Sequence, residues 1–369
     1  MARTSAQVDL FLHQLVDAPV KDTQELMEFP FFSLQKQKRT TPYEYDDGAV
    51  SITITPGPHG MATIWDKDIL MYLASLLNDI IERGDLDPGR TITFPAYDFL
   101  TATGRGTGKR AYELFLDALR RLRSTTVETS IVTGDQVDRR GFGWIDAWHV
   151  IEQEDGRGRK VMRGVEVTIA DWMYRAVAKD KNVLTIDYNY FDLKSGIDRR
   201  LYELARKHTG RKANWWISLP RLYDKVGLLI EPGKNSASTR PYIRKFRAHV
   251  KSLQKSQLLP EYEIDYMTPP VSDCPFKVKP STEMVRFTRR HMDALPPPPD
   301  ISDDDDHDGP PRITQDAYEQ ACGLYPDYDI SYIEGKWQEY ANARGDALRN
   351  ADKAFLGFAR SYVAQNPIR

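Results

Sequence analysis

Two stretches of this chain, residues 61–169 and 199–287, pass through the same order of elements, and that repetition restricts the fold more than any other feature. In the second stretch a helix precedes a short strand over 215–219, a helix opened by Pro220, the turn EPGKNSAST, and a longer helix from about 241 to 255. In the first, Trp65, Ile69, Tyr72, Leu73, Leu76 and Ile80 mark an amphipathic helix, and residues 91–94 read as a strand. Pro95 then opens PAYDFLTAT, and the glycine-rich turn GRGTG leads into a helix over 109–123. Strand-like runs follow at 125–133, 142–152 and 161–169, separated by the polar turns GDQVDRRG and EDGRGRK; the second stretch closes with a strand over 261–267 and a hairpin through 276–287. Helix, strand, helix, helix and hairpin is the order of a winged helix. TITFPAYD at 91–98 answers WISLPRLYD at 216–224, and KRAY at 109–112 answers RPY at 240–242, so the chain reads as a structural repeat.

The expected fold class is α+β: two tandem winged-helix DNA-binding domains with a small helical C-terminal region. The boundaries are a segment over 1–45, a first winged helix over 46–190, a second over 191–292, a disordered linker over 293–311 and a helical domain over 312–369. Residues 5–17 fit a short amphipathic helix, and SITIT at 51–55 alternates like a strand. The linker, DALPPPPDISDDDDHDGPP, is set by prolines and an aspartate run that cannot pack.

Charge separates the two halves. Residues 199–255 carry fifteen basic residues and three acids, in a chain whose formal net charge is -2. On the 241–255 helix, Ile243, Phe246, Val250 and Leu253 make an apolar stripe, while Arg244, Arg247, Lys251 and Lys255 fall on another face. That is how a helix-turn-helix sets a recognition helix against DNA. The candidate DNA-contacting residues are Lys109, Arg110, Arg120 and Arg121 in the first half. In the second they are Lys234, Arg240, Arg244, Lys245, Arg247, Lys251 and Lys255. Tyr112, Phe115, Leu116, Leu119 and Leu122 point inward on the first recognition helix, whose outer face includes Glu113 and Asp117.

The chemistry of other functions is missing. GRGTGKR at 104–110 has Thr103 where a phosphate-binding loop needs its first glycine and Arg110 where it needs a hydroxyl. Asp304, Asp306, Asp308 and Gly309 match half of a calcium loop, but Pro310 and Pro311 follow and Gln315 replaces the closing glutamate. The seven histidines never reach metal-ligand spacing, and no G-x-S-x-G elbow or His-x-His pair is present. Trp215 and Trp216 alternate in a strand, so one of them faces the core. Two cysteines, Cys274 and Cys322, make no disulfide framework or zinc site. Asp9 and His13 interrupt what would be a signal core, and no apolar run approaches a membrane span. The expectation is a cytoplasmic binding protein, not an enzyme, with no cofactor and no metal.

Four pieces then carry a resemblance: FPFFSLQKQKRTTPYEY at 29–45, ITITPGPHGMATIWDKDILMYLAS at 52–75, GRGTGKRAYE at 104–113, and DYNYFDLKSGIDRRLYELARKH at 187–208. In this order they resemble the plasmid replication initiator protein A family of proteobacteria. WQEYANARGDALRNADKAFLGFAR at 337–360 also resembles C-terminal pieces of such initiators. The resemblance implies sequence-specific binding to repeated sites in double-stranded plasmid origin DNA and opening of an AT-rich region. It also implies recruitment of the host initiator, helicase loader and replicative helicase. Similar proteins initiate as monomers and repress their own promoter as dimers, so a homodimer is implied by resemblance alone. A winged-helix transcription repressor without a replication role fits the same architecture.

Overall fold

In the computed structural model the described residues are 19–46, 50–83, 88–133, 136–154, 160–210, 212–228, 236–268, 271, 274–275, 278–279, 281–290, 313–325, 328, 330–344 and 351–366. The expected helix at 5–17, the linker at 293–311 and Lys234 lie outside them. The chain enters through β1 (Lys21–Thr23), α1 (Gln24–Glu28), β2 (Tyr43–Asp46) and β3 (Val50–Thr55). The first unit follows with α2 (Lys67–Glu82), β4 (Thr91–Phe94), α3 (Ala96–Ala102), α4 (Lys109–Ser124), β5 (Thr126–Thr133), β6 (Gln136–Gly143), β7 (Ile145–Glu154) and β8 (Lys160–Ile169). After α5 (Asp171–Tyr174), a π-helical turn (Arg175–Lys179) and β9 (Val183–Thr185) comes the second unit. It comprises α6 (Gly196–Thr209), β10 (Asn214–Ser218), α7 (Leu219–Val226), α8 (Ser236–Ser256), β11 (Tyr262–Met267) and β12 (Met284–Arg289). The tail forms α9 (Gln315–Leu324), α10 (Ile330–Arg344) and α11 (Ala351–Gln365).

The repeat is visible in the sheets. In the first unit the strand order is β4-β8-β7, and in the second β10-β12-β11, with every pairing antiparallel. In both, the strand between the first two helices pairs with the last strand of the hairpin, so the chain holds two winged-helix units in an α+β fold. The first unit carries an addition: β5 and β6 join β2 and β3 in a four-stranded sheet of order β2-β3-β5-β6. Residues 136–141 are strand, not the expected turn. Gln136–Gly143 is the edge strand of that sheet, and Arg139, Arg140 and Gly141 are exposed, so no apolar alternation marks it. In the aligned pieces the Tyr-Asp pairs are offset by one position: Asp98 stands three residues after Pro95 and Asp224 four after Pro220.

Each unit has its own core. Phe94, Phe99, Phe115, Leu119, Val165 and Val167 anchor the first; Leu201, Leu222, Phe246, Val250, Ile264 and Phe287 anchor the second. Residues 20–45, read from the sequence as a segment ahead of the first unit, feed both. Leu26, Phe31, Phe32, Tyr43 and Tyr45 pack in the first core, and Val20 and Met27 in the second. Helix α2 is shared in the same way: Leu70 and Leu73 face one core, Met71 the other, and its first eleven residues, Lys67–Leu77, are all buried.

Where the two units meet, the filling is ionic. Lys67 Nζ, with no solvent exposure, lies 2.6 Å from Asp22 and 2.9 Å from Glu203. Arg199 donates to Asp68 at 2.6 Å, and Arg105 reaches the same carboxylate at 2.8 Å. Arg200 donates to the carbonyls of Met27, Glu28 and Lys225, and Glu28 pairs with Lys207 and Lys225. Arg199, Arg200, Lys207 and Lys225 belong to the basic stretch, so part of its charge is spent inside the fold rather than on a surface. Fit is tight as well: a Cβ on Gly196, the first residue of α6, would stand 2.3 Å from the Leu34 carbonyl oxygen. Gly196→Ala is therefore expected to cost about 1–3 kcal/mol by forcing the 20–45 segment away from α6. A thermal melt checks it, and an unchanged melting temperature contradicts the contact.

Candidate nucleic-acid interface

Helix α4 starts behind Gly108, its N-cap, after a turn whose Gly104 has φ +63° and whose glycines have nothing within 4 Å of a built Cβ. An open turn of this kind lets a helix N-terminus approach an anion. Phe115, Ala118, Leu119 and Leu122 are buried along its inner face, while Tyr112 and Leu116 are half-buried against the same core. Lys109 and Arg110 are exposed at its first turn. Arg110 pairs with Glu113 at 3.3 Å and Arg120 with Asp117 at 2.7 Å. Arg121 is directed elsewhere: it donates two hydrogen bonds of 2.7 Å to the buried Asp66, tying α4 to the start of α2. Arg123, which is not among the candidate DNA-contacting residues, is exposed at the far end.

Helix α8 is longer than expected, because it begins at Ser236 and takes Pro241 inside. A proline there leaves one carbonyl of the first turns without its amide partner, which explains why Pro241 looked like the start. Phe246, Val250 and Leu253 are buried, each contributing roughly 1.5–3 kcal/mol of apolar burial, and Ile243 is half-buried beside them. On the other side Arg244, Lys245, Lys251 and Lys255 are exposed. Arg247 donates to Glu283 at 2.6 Å, and Lys251 Nζ sits 4.6 Å above the Tyr266 ring. Burial pushes the Glu283 carboxyl up, but the hydrogen bonds from Arg247 and Tyr266 outweigh it and hold the group below its ordinary value. The side chain of Arg240 lies outside the described residues. No acid occurs between Ser236 and Ser256, so the α8 face is cationic throughout, whereas α4 interleaves Glu113 and Asp117 with its bases.

The tryptophans are occupied. Trp215 lies between His208 and Phe287, at centroid distances of 4.4 and 5.2 Å, and Arg286 covers Trp216 at 5.3 Å. Among the described residues no three His, Cys, Asp or Glu side chains gather as a metal site, and no helix is long and apolar enough to cross a membrane.

With this geometry in view, the family profile described as "Replication initiator protein A" matches residues 21–264, from β1 into β11. The chain belongs to the replication initiator protein A family. A curated relative, described as "Putative replication protein" from Wigglesworthia glossinidia brevipalpis, is 36% identical over 242 residues, covering 65% of this chain and 82% of its own. Among solved structures, domains 2 and 3 of RctB align with a TM-score of 0.48 at 12% identity, covering 72% of this chain and 98% of that one. Pi initiator protein, solved in complex with iteron DNA, aligns with a TM-score of 0.39 at 15% identity, over 67% and 99% of the two chains. The family match takes in α4, α8 and residues 21–45. The end of β11, β12 and the tail helices lie beyond it.

Proposed function

We propose that this chain initiates plasmid replication by binding double-stranded origin DNA sequence-specifically through both winged-helix units at once. One observation carries the reading: two recognition helices, each with an exposed basic face, belong to units joined through a buried ionic contact rather than a loose tether. The spacing of the two helices is then a property of the protein, and the DNA site must match it. Lys109, Arg110 and Arg120 on α4 contact one groove, and Lys234, Arg240, Arg244, Lys245, Lys251 and Lys255 around α8 the next. Arg121 and Arg247 hold the helices in place through Asp66 and Glu283. Opening of an AT-rich region, recruitment of the host initiator, loader and helicase, homodimerisation and autorepression complete the proposal, on family membership. It places the protein in the cytoplasm and needs no bond-making step.

Footprinting the DNA that flanks the gene tests this. Direct repeats are expected, and a plasmid carrying the gene with those repeats should replicate in a fresh host. A single inverted repeat with no replication would make the protein a repressor. Arg110→Ala in the first turn of α4 and Arg240→Ala in the second turn of α8 should each cost about 1–3 kcal/mol of cognate affinity and relax preference at one position. Site selection on randomised DNA reads this, and an unaltered preference in both variants rejects base contact at these arginines.

A further inference from the structure

Helix α4 is gripped at two points by the start of α2. Arg121, in its fourth turn, is bound by both oxygens of Asp66. Arg105, in the turn that leads into α4, donates to Asp68 Oδ2 at 2.8 Å and to the Trp65 carbonyl at 2.6 Å, and its guanidinium stands over the Phe99 ring at 5.1 Å. The other oxygen of Asp68 belongs to the second unit: Oδ1 accepts from Arg199 of α6 at 2.6 Å. Arg199 is fixed in turn, since it donates to the carbonyls of Phe191 and Leu193 and lies 4.9 Å from the centre of the Tyr190 ring. Next to Arg199 in the first turn of α6, Asp198 Oδ1 lies 2.6 Å from Nε2 of His249, and His249 is part of α8.

A row of polar contacts therefore runs from the turn before one recognition helix to the body of the other. It passes through Arg105, Asp68 and Arg199, then along one peptide unit of α6 to Asp198 and His249. Its centre is buried, the side chains of Asp68 and Arg199 being 1% and 3% exposed, while its ends, Arg105 and His249, are 24% and 30% exposed. Charged hydrogen bonds are strong and directional in such an interior. Only a carboxylate serves at the centre, because it receives one arginine on each oxygen. An asparagine there accepts on one oxygen and turns N–H donors toward the other arginine.

We propose that Asp68 is a positioning residue that sets the register of α4 against α8, and with it the separation at which the protein engages two grooves. The use made of that separation rests on the DNA-binding reading; the separation itself belongs to the protein alone. Each base pair advances about 3.4 Å and turns about 35° around the duplex, so a protein of fixed register is sensitive to a single inserted pair. One whose register has been loosened follows the insertion.

The register is read first without DNA. In the full chain, with Cys274→Ala and Cys322→Ala, nitroxides are attached at Leu114→Cys on α4 and Ser252→Cys on α8, both exposed positions. Pulsed electron resonance gives the distance distribution in this parent and after adding Asp68→Asn or His249→Gln. The parent should show one narrow distance, and both variants, still melting cooperatively, a distribution about twofold wider. Distributions as narrow as the parent's overturn the proposal. If Asp68→Asn does not fold, His249→Gln, at the accessible end of the row, decides by the same criterion. The second measurement uses the footprinted site with one base pair inserted between the two protected grooves. The insertion should cost the natural protein about tenfold in affinity and Asp68→Asn about threefold or less, each relative to its own affinity for the unaltered site. A residue that merely stabilises the fold would leave these two ratios equal, and equal ratios overturn the proposal. A footprint over one groove, or none, would reject the two-groove reading and the use of the register with it, while the nitroxide distances still decide the register itself.

Discussion

Lys67→Met is expected to destabilise the protein by about 3–5 kcal/mol, the cost of breaking a buried ion pair from one side. Lys67 is enclosed by Asp22 of β1 and Glu203 of α6, and it also reaches the Leu26 carbonyl. Without the ammonium, two buried carboxylates face each other, with Arg200 and the Tyr190 hydroxyl beside Glu203 and the Thr23 amide on Asp22. The loss should depend on pH. Burial pushes the Asp22 carboxyl up to about 6 against the pull of Lys67. A group raised in this way contributes stability fully below its ordinary value of 3.8 and loses it as pH climbs through about 6. Glu203 behaves in the opposite sense. Burial would raise it, but Lys67 and Arg200 hold it below its ordinary 4.5, so its contribution is present above that value and lost as pH falls. Removing Lys67 raises both carboxyls. The gap between the natural protein and the variant should therefore be widest above pH 6 and narrow toward pH 5, where one carboxyl takes up a proton. Urea melts at the two pH values measure it, and Asp22→Asn added to Lys67→Met should restore part of the loss. A loss under about 1 kcal/mol, or one identical at both pH values, would mean that this cluster does not join the units.

Such a cluster is invisible in the sequence for a physical reason. Arg199 meets Asp68 across 131 positions and Lys225 meets Glu28 across 197, so no local pattern records that these cations are neutralised. Charge counting credits them to the surface. What local pattern does record is the winged-helix order. Apolar residues at helical spacing mark α2, α4 and α8, and Pro95 and Pro220 mark the entries to α3 and α7. β6 escaped because its exposed Arg139, Arg140 and Gly141 give no period of two. At the candidate interface, exposure of Arg244, Lys245, Lys251 and Lys255 followed from the stripe opposite them. The inward turn of Arg121 did not, since Asp66 stands 55 positions away.

Neutralising the α8 face should flatten the salt dependence of DNA binding by about 3–4 units, because each phosphate contact contributes roughly -0.9 to the slope of log affinity against log salt. The variant carries alanine at Arg244, Lys245, Lys251 and Lys255, which span about 16 Å of helix at 1.5 Å per residue. Phe246, Val250 and Leu253 stay in place on the opposite side, so the helix keeps its core. Arg247 is left untouched because it belongs to Glu283. Between about 50 and 200 mM salt, the natural protein should lose on the order of a hundredfold more affinity than the variant. Cognate and scrambled fragments should give the same change in slope, since phosphates carry no sequence information. Equal slopes for the two proteins would make α8 a solvated helix with no DNA beneath it. A loss confined to the cognate fragment would instead assign these side chains to base edges, and the phosphate contacts of the second unit would have to come from the 229–240 stretch.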